Sequence, residues 1–215
     1  MSSVKHTTLF GFPVMTQKID KKSYNKKSIL SAIEKNFKLN KKRNRWDKQS
    51  VLHHAFKDFD NPKYHKVNLD TLLPVYAKIL GEMFEKMDLF TGAHRFNFNI
   101  INYTCLSNCN YMASHVHPGA DFTAVHYIQF DKKYHTPTTY ENHLPCIEYV
   151  NKITPKLTKI LSDKHPTNSW AYQHWTLDIE EDDFCFSPAF LKHRIDPQTS
   201  KTKNRITIVL NIVLK

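Results

Sequence analysis

The sequence predicts an α+β domain in which N-terminal helices buttress one face of a β-barrel or sandwich. Three observations lead there. Apolar residues recur at helical spacing in the first third of the chain. From residue 94 the texture changes to short runs rich in aromatic and β-branched residues, as in "RFNFNIINYTC" and "RITIVLNIVL". No internal repeat or low-complexity linker divides the 215 residues, a length that suits one domain with a sizeable core and is short for two. The expected organisation is one domain over 1–215, with a helical, basic part over 1–93 and a β core over 94–215.

Taken in order, "TTLFGFPVM" (7–15) reads as a short strand that Pro13 limits to an edge or an end. "KKSILSAIEKNFK" places Ile29, Ile33 and Phe37 at i, i+4 and i+8, an amphipathic helix capped near Ser28. "NLDTLLPVYAKILGEMFEKMDLF" is the strongest helix. Leu69, Leu72, Leu73, Tyr76, Ile79, Leu80, Met83, Phe84 and Met87 form a wide apolar stripe, with Asn68 or Asp70 as cap and Pro74 near the start. Strands are then expected in "RFNFNIINYTC", "FTAVHYIQF", "WAYQHWTLDI", "DFCFSP" and "RITIVLNIVL". Between them, "EYVNKITPKLTKILSDK" reads as a short helix or an excursion loop, and the acidic "EEDD" (180–183) as a solvated turn.

Composition narrows the function classes. No apolar run reaches the roughly 20 residues of a membrane span, and "MSSVKHTTLFGFPV" lacks a signal-peptide apolar region. The expectation is a soluble, cytoplasmic protein with no membrane partner. Cys105, Cys109, Cys146 and Cys185 show no paired zinc spacing and read as reduced thiols, although Cys105 and Cys109 could bridge a hairpin or bind metal. The net charge of +11 lies wholly in residues 1–66, which hold 16 Lys and Arg against 5 Asp and Glu. Runs such as "KIDKKSYNKK" and "KLNKKRNRWDK" are either a solvated surface or a stripe for an anionic polymer.

The chemistry concentrates in "SHVHPGADF" and its downstream companions. Along a strand, residues i and i+2 share a face, so His115 and His117 are either coincidence in a chain of 13 histidines or two arms of a metal clamp. Further on, "DFCFSPAFLKHRI" brings His193, and Arg205 opens a strand on which Arg205, Thr207, Val209 and Asn211 share one face. A guanidinium at the head of an apolar strand is costly to bury unless it meets an anion. Beside a hydroxyl, it makes a bidentate seat for a carboxylate.

The order His-x-His, a short apolar strand, "FSPAFLKHRI", a gap and "RITIVLN" resembles the iron(II)- and 2-oxoglutarate-dependent dioxygenases. It is most similar to a group of bacterial and phage oxygenases whose first motif reads His-x-His-Pro. "LFGFPV" and "SVLHHAFKDFDNPKY" resemble the N-terminal part of that group. The resemblance implies a double-stranded β-helix, or jelly roll, over 94–215, and a hydroxylase that uses Fe(II), 2-oxoglutarate and O2 on an unidentified peptidyl or small-molecule substrate. A phage-encoded member would work in the host cytoplasm. It implies His115, His117 and His193 as catalytic metal ligands, and Arg205 with Thr207 as the seat of the far carboxylate of 2-oxoglutarate. Tyr103 and Tyr127, on flanking strands, are either core residues or further partners of that carboxylate.

Position 117 departs from the family's usual carboxylate ligand. The Pro118-Gly119 turn could fold Asp121 back as third ligand or as a histidine's partner. The rival reading is a non-catalytic jelly roll that holds a structural metal and docks through its basic surface. His126, His135, His143 and His53-His54 lack fixed partners and read as ordinary surface or core histidines. Trp170, Tyr172, His174 and Trp175 could line a substrate mouth or simply pack a sheet.

Overall fold

The computed structural model describes residues 4–9, 11–39, 53–54, 62–87, 95–144, 153 and 172–215. The chain begins with a hairpin, β1 (Lys5–Leu9) and β2 (Phe12–Lys18), so the N-terminal part is not helical throughout. Pro13 sits at the second residue of β2, paired across to Thr8 on the edge strand β1. Helix α1 (Lys26–Leu39) buries Ile29, Ile33 and Phe37, the i, i+4, i+8 set. Its cap is Asn25 and not Ser28: Asn25 Oδ1 accepts the Ser28 N–H at 3.4 Å. A two-residue strand, β3 (His53–His54), precedes α2 (Leu73–Lys86). Helix α2 starts without a side-chain cap, on Pro74 in its first turn, while Asn68 instead closes a local turn onto the Asp70 N–H.

The remaining strands are β4 (Phe96–Leu106), β5 (Met112–His115), β6 (Phe122–Gln129), β7 (Thr138–Glu141), β8 (His174–Thr176), β9 (Asp183–Pro188), β10 (His193–Ile195) and β11 (Arg205–Leu214). They form two antiparallel sheets, one in the order β1-β2-β9-β6-β11-β4-β3 and one in the order β5-β10-β7-β8. β11 is the spine, flanked by β4 and β6. Its alternation divides the molecule. Ile206, Ile208, Leu210 and Ile212 pack with Ile29, Ile33, Tyr76, Leu80 and Phe84 in the core under the helices. Thr207, Val209 and Asn211 face the other way, into a cavity shared with the small sheet.

β4 keeps pace with β11 only through a bulge. Asn102 pairs with Val209 and Ile100 with Leu210, leaving Ile101 as the extra residue. Phe96, Phe98 and Ile100 therefore pack toward the helices, as do Tyr103 and Cys105, whereas Asn102 and Thr104 turn to the cavity.

The "EEDD" turn is not solvated throughout. Asp182 and Asp183 are buried, and Lys26 Nζ reaches Asp182 at 2.7 Å and Glu181 at 2.9 Å. Lys18 pairs with Glu180 at 3.0 Å. Two lysines of the "KIDKKSYNKK" run are thus neutralised by the chain's own acidic turn. "KLNKKRNRWDK", "EYVNKITPKLTKILSDK", Cys146 and Trp170 lie outside the described residues, as does most of "SVLHHAFKDFDNPKY". Cys105, Cys109 and Cys185 are free thiols. Among the described residues no helix is long and apolar enough to cross a membrane.

Candidate metal centre

His115 closes β5 and His193 opens β10, and the antiparallel register sets them directly opposite one another. His117 follows two residues past β5, fixed there by its own N–H, which donates to Ala189 O at 2.9 Å. The Pro118-Gly119 turn comes next, and Gly119 takes φ 79°, a conformation that favours glycine. The three rings meet with centroids 4.3–5.3 Å apart, and one ligand atom from each lies within 4.8 Å of the others. Local sequence and long-range pairing both contribute: the His-x-His spacing supplies two rings, and only strand pairing supplies the third.

Hydrogen bonds on the far side of each ring fix which nitrogen faces inward. His115 Nδ1 donates to Ala113 O at 2.9 Å, and His193 Nδ1 donates to Leu191 O at 2.8 Å. His117 Nδ1 donates to Asn211 Oδ1 at 2.9 Å. These partners are oxygens without a proton to give, so each Nδ1 carries the hydrogen and each Nε2 keeps its lone pair. Burial pushes His117 below the ordinary histidine value. It holds His193 well below, with the His115 and His117 rings adding to the effect. Neutral imidazoles with oriented lone pairs are the donor set that a first-row transition metal takes.

A buried cation lies two positions along β11 from Thr207, in the wall of this cavity of about 550 Å³. Arg205 is fully buried. Its Nε donates to Thr136 O at 3.0 Å and its guanidinium lies over the Tyr127 ring at 5.0 Å. Among the described residues, Nη1 and Nη2 have no hydrogen-bond acceptor. Burial lowers its pKa, an effect that the Tyr127 hydroxyl opposes. Thr207 and Thr104 share a hydrogen bond of 2.7 Å beside it, on the cavity wall. One hydroxyl proton of that pair is left to donate into the cavity.

The two tyrosines that the sequence left open between core and carboxylate are both buried and hydrogen-bonded within the protein. Tyr103 is on the opposite face of β4, where its hydroxyl accepts from Asn36 Nδ2 at 3.1 Å in the core beneath α1. It is a packing residue, because the bulge at Ile101 sets which β4 residues face the helices. Tyr127 touches Arg205 with its ring, while its hydroxyl donates to Thr138 Oγ1 at 2.7 Å and accepts the Thr138 N–H at 3.1 Å. Asp121 does not fold back to the histidines. Its carboxylate accepts the Leu214 N–H at 2.8 Å at the end of β11. Tyr172, His174 and Trp175 lie around β8, the far edge of the small sheet, and do not line the cavity. His126 and His135 are buried away from the cavity, each hydrogen-bonded through Nδ1. Sequence reasoning overlooked Asn211 and Thr104, although the period of β11 had already placed Asn211 on the face of Arg205.

A family model described as "Putative 2OG-Fe(II) oxygenase" matches residues 103–211, half of the chain and the stretch that holds all three histidines and Arg205. The chain belongs to this family. Membership brings Fe(II) and 2-oxoglutarate as the family's metal and cosubstrate. No curated protein sequence matches the chain. Among solved structures it is similar to a 2OG-Fe(II) oxygenase family oxidoreductase from Burkholderia pseudomallei, at 9% identity and TM-score 0.40, over 66% of this chain and 59% of that one. It is also similar to a Pseudomonas putida prolyl-4-hydroxylase, at 9% identity and TM-score 0.50, over 93% of this chain and 91% of that one. The second likeness runs through nearly the whole of both chains and carries the fold: a jelly roll of two antiparallel sheets, with helices against the larger one.

Proposed function

We propose that this protein is an Fe(II)- and 2-oxoglutarate-dependent oxygenase that hydroxylates a C–H bond, with His115, His117 and His193 holding the metal and Arg205 seating the cosubstrate. The observation that carries this reading is the buried Arg205 guanidinium, whose two terminal nitrogens lack acceptors among the described residues, two positions along β11 from Thr207 in the wall of the cavity that the three convergent imidazoles line. Leaving such a charge unpaired is expensive, and an anionic ligand relieves it.

The roles of the chain's own groups follow from the geometry. Ala113 O, Leu191 O and Asn211 Oδ1 hold the imidazoles in one tautomer and orientation. Arg205 Nη1 and Nη2, with a hydroxyl of the Thr104–Thr207 pair, receive the far carboxylate of the cosubstrate and so set how deep it sits. The apolar walls at Met112, Val125, Ile195 and Val209 keep water from the space between the two ends. When bound, Fe(II) supplies the redox chemistry that couples oxidative decarboxylation of 2-oxoglutarate by O2 to oxidation of the prime substrate.

Three neutral imidazoles leave the metal's two positive charges uncompensated, so a dianionic cosubstrate gains more here than at a site with a carboxylate ligand. Among the described residues no carboxylate joins the cluster, which also suits a structural Zn2+, the one feature that favours a non-catalytic reading. A structural metal has no use for the unpaired guanidinium. An anionic polymer on the basic surface is not part of this proposal, since Lys18 and Lys26 are already paired. The test is succinate release from 2-oxoglutarate by purified protein with Fe(II) and O2. Release that depends on both supports the reading; a rate equal to that of boiled protein overturns it.

A further inference from the structure

Gln198 has no part in the site as described so far, yet the chain buries it in a connection. It lies between β10 and β11 and is 1% exposed, while Pro197 and Thr199 on either side face solvent. A buried polar side chain in a loop needs partners for its hydrogen bonds. Here each polar atom has one. The Gln198 N–H donates to Asn110 O at 3.1 Å and its C=O accepts the Cys109 N–H at 2.8 Å, which ties the connection to the turn between β4 and β5. Its carboxamide holds one residue twice. Oε1 accepts the Thr136 N–H at 3.0 Å, and Nε2 donates to Thr136 Oγ1 at 2.6 Å and to Asp196 O at 2.7 Å. Thr136 Oγ1 closes the ring by donating to the same Asp196 O at 2.8 Å. A carboxamide offers an acceptor and a donor side by side, which is what the N–H and the hydroxyl of one residue require.

The remaining polar group of Thr136, its carbonyl, accepts Arg205 Nε at 3.0 Å. Among the described residues that carbonyl is the hydrogen-bond acceptor of the guanidinium. The guanidinium is planar and rigid. The direction of Nε–H, together with the Tyr127 ring 5.0 Å away, therefore fixes where Nη1 and Nη2 aim. Resting on the oxygenase reading above, we propose that Gln198 is a positioning residue for cosubstrate binding. It holds Thr136 at the N–H and the hydroxyl, Thr136 O holds Arg205 Nε, and the two terminal nitrogens are thereby aimed at the far carboxylate of 2-oxoglutarate. Gln198 acts through Thr136 and does not itself line the cavity.

The test is anaerobic titration of 2-oxoglutarate into the Fe(II)-loaded protein, read by the visible absorption of the complex, with Fe(II) affinity measured separately. It compares wild type, Gln198→Met, Arg205→Met and the double variant. Gln198→Met keeps a similar volume and removes both polar atoms. It should weaken 2-oxoglutarate by about tenfold or more, the worth of one hydrogen bond to a charged group, with Fe(II) affinity equal to wild type. In the Arg205→Met background no guanidinium is left to aim, so the same change should alter 2-oxoglutarate binding by less than about twofold. Equal losses in the two backgrounds, or a parallel loss of Fe(II), would overturn the inference by making Gln198 a structural residue. Binding within about twofold of wild type in Gln198→Met overturns it as well. Should Gln198→Met fail to fold, Thr136→Val takes its place, keeping the side chain's shape and removing the hydroxyl that Gln198 holds. That variant should weaken 2-oxoglutarate by about threefold or more only where Arg205 is present, and the same failures refute it. A wild-type protein that forms no absorbing complex would refute the oxygenase reading itself, and an Arg205→Met protein that binds like wild type would refute its anion seat; either takes the inference with it.

Discussion

Replacing Arg205 by Met is predicted to separate stability from function. The side chain is fully buried, and among the described residues its charge is offset by one hydrogen bond to Thr136 O and by the Tyr127 ring. Exchanging a poorly compensated buried ion for an apolar side chain of similar volume is often neutral or stabilising, by about 1–4 kcal/mol. Against that gain stand the orphaned Thr136 carbonyl, about 1 kcal/mol or more, and the lost cation–π contact, about 1 kcal/mol. The net expectation for the ligand-free protein runs from a loss of about 1 kcal/mol to a gain of about 2 kcal/mol, the latter a rise of up to ~8 °C in melting temperature for a chain of this size. Cosubstrate binding moves the other way. Two charge-assisted hydrogen bonds and a desolvated ion pair disappear, which costs about 3–5 kcal/mol, or a loss of roughly 150- to 5,000-fold in 2-oxoglutarate affinity. Fe(II) affinity stays as it was. Calorimetric melting of the ligand-free protein and anaerobic titration of each ligand read the three quantities independently. A variant that melts well below wild type while binding 2-oxoglutarate normally would show that Arg205 serves the fold and that the anion seat is misplaced.

Four further expectations concern the metal end and the buried charges. His117→Ala should abolish Fe(II) binding, His117→Asp should retain it, and Asp121→Ala should leave it unchanged. Loss of iron in the Asp121 variant would contradict the contact with the Leu214 N–H. Asn211→Leu strips His117 of its orienting acceptor and should weaken Fe(II) by about 10- to 100-fold, with a normal melting curve; equilibrium competition with a chelator measures it. His135 accepts the Asp131 N–H through Nδ1 and donates from Nε2 to Lys203 O, and burial lowers its pKa. Its contribution is therefore complete above about pH 6.5 and declines as pH falls below that, so urea midpoints should drop from pH 7 to pH 5, and less so in His135→Gln. Burial alone would raise Asp182, but the His126 ring, Lys26 and Tyr24 together hold it at about 2, down from 3.8. Its carboxylate then adds about 2 kcal/mol above pH 4, lost as pH falls through 2; an Asp182→Asn protein with an equally steep acid limb would refute this.

Much of the site could be read locally. The two-residue spacing of His115 and His117 places them together because a strand has a period of two. The same period sets Arg205, Thr207 and Asn211 on one face of β11 with four branched apolar residues opposite. Helix stripes were equally plain, since Tyr76, Ile79, Leu80, Met83 and Phe84 recur at the period of a helix that must cover a sheet. The bulge in β4 also left a mark in the sequence. Its apolar residues fall at 96, 98 and 100 and then at 101, 103 and 105, a change of parity that simple alternation cannot accommodate.

Tertiary structure decided what those residues do to one another. His193 joins the other two histidines because β10 pairs with β5, a contact across 78 residues that no local pattern encodes. Tyr103 and Tyr127 looked alike in sequence, yet the β4 bulge sends one under α1 and strand pairing in β6 sets the other beneath Arg205. Asp121 was free to turn toward the metal until β11 offered it the Leu214 N–H. Lys26 appeared to belong to a solvated basic stripe until the 180–183 turn folded against it. The physical reason is the same in each case. Side-chain period is a property of one element, whereas the partner that satisfies a charge, a lone pair or an amide is supplied by another element, and only the packing of the two says which.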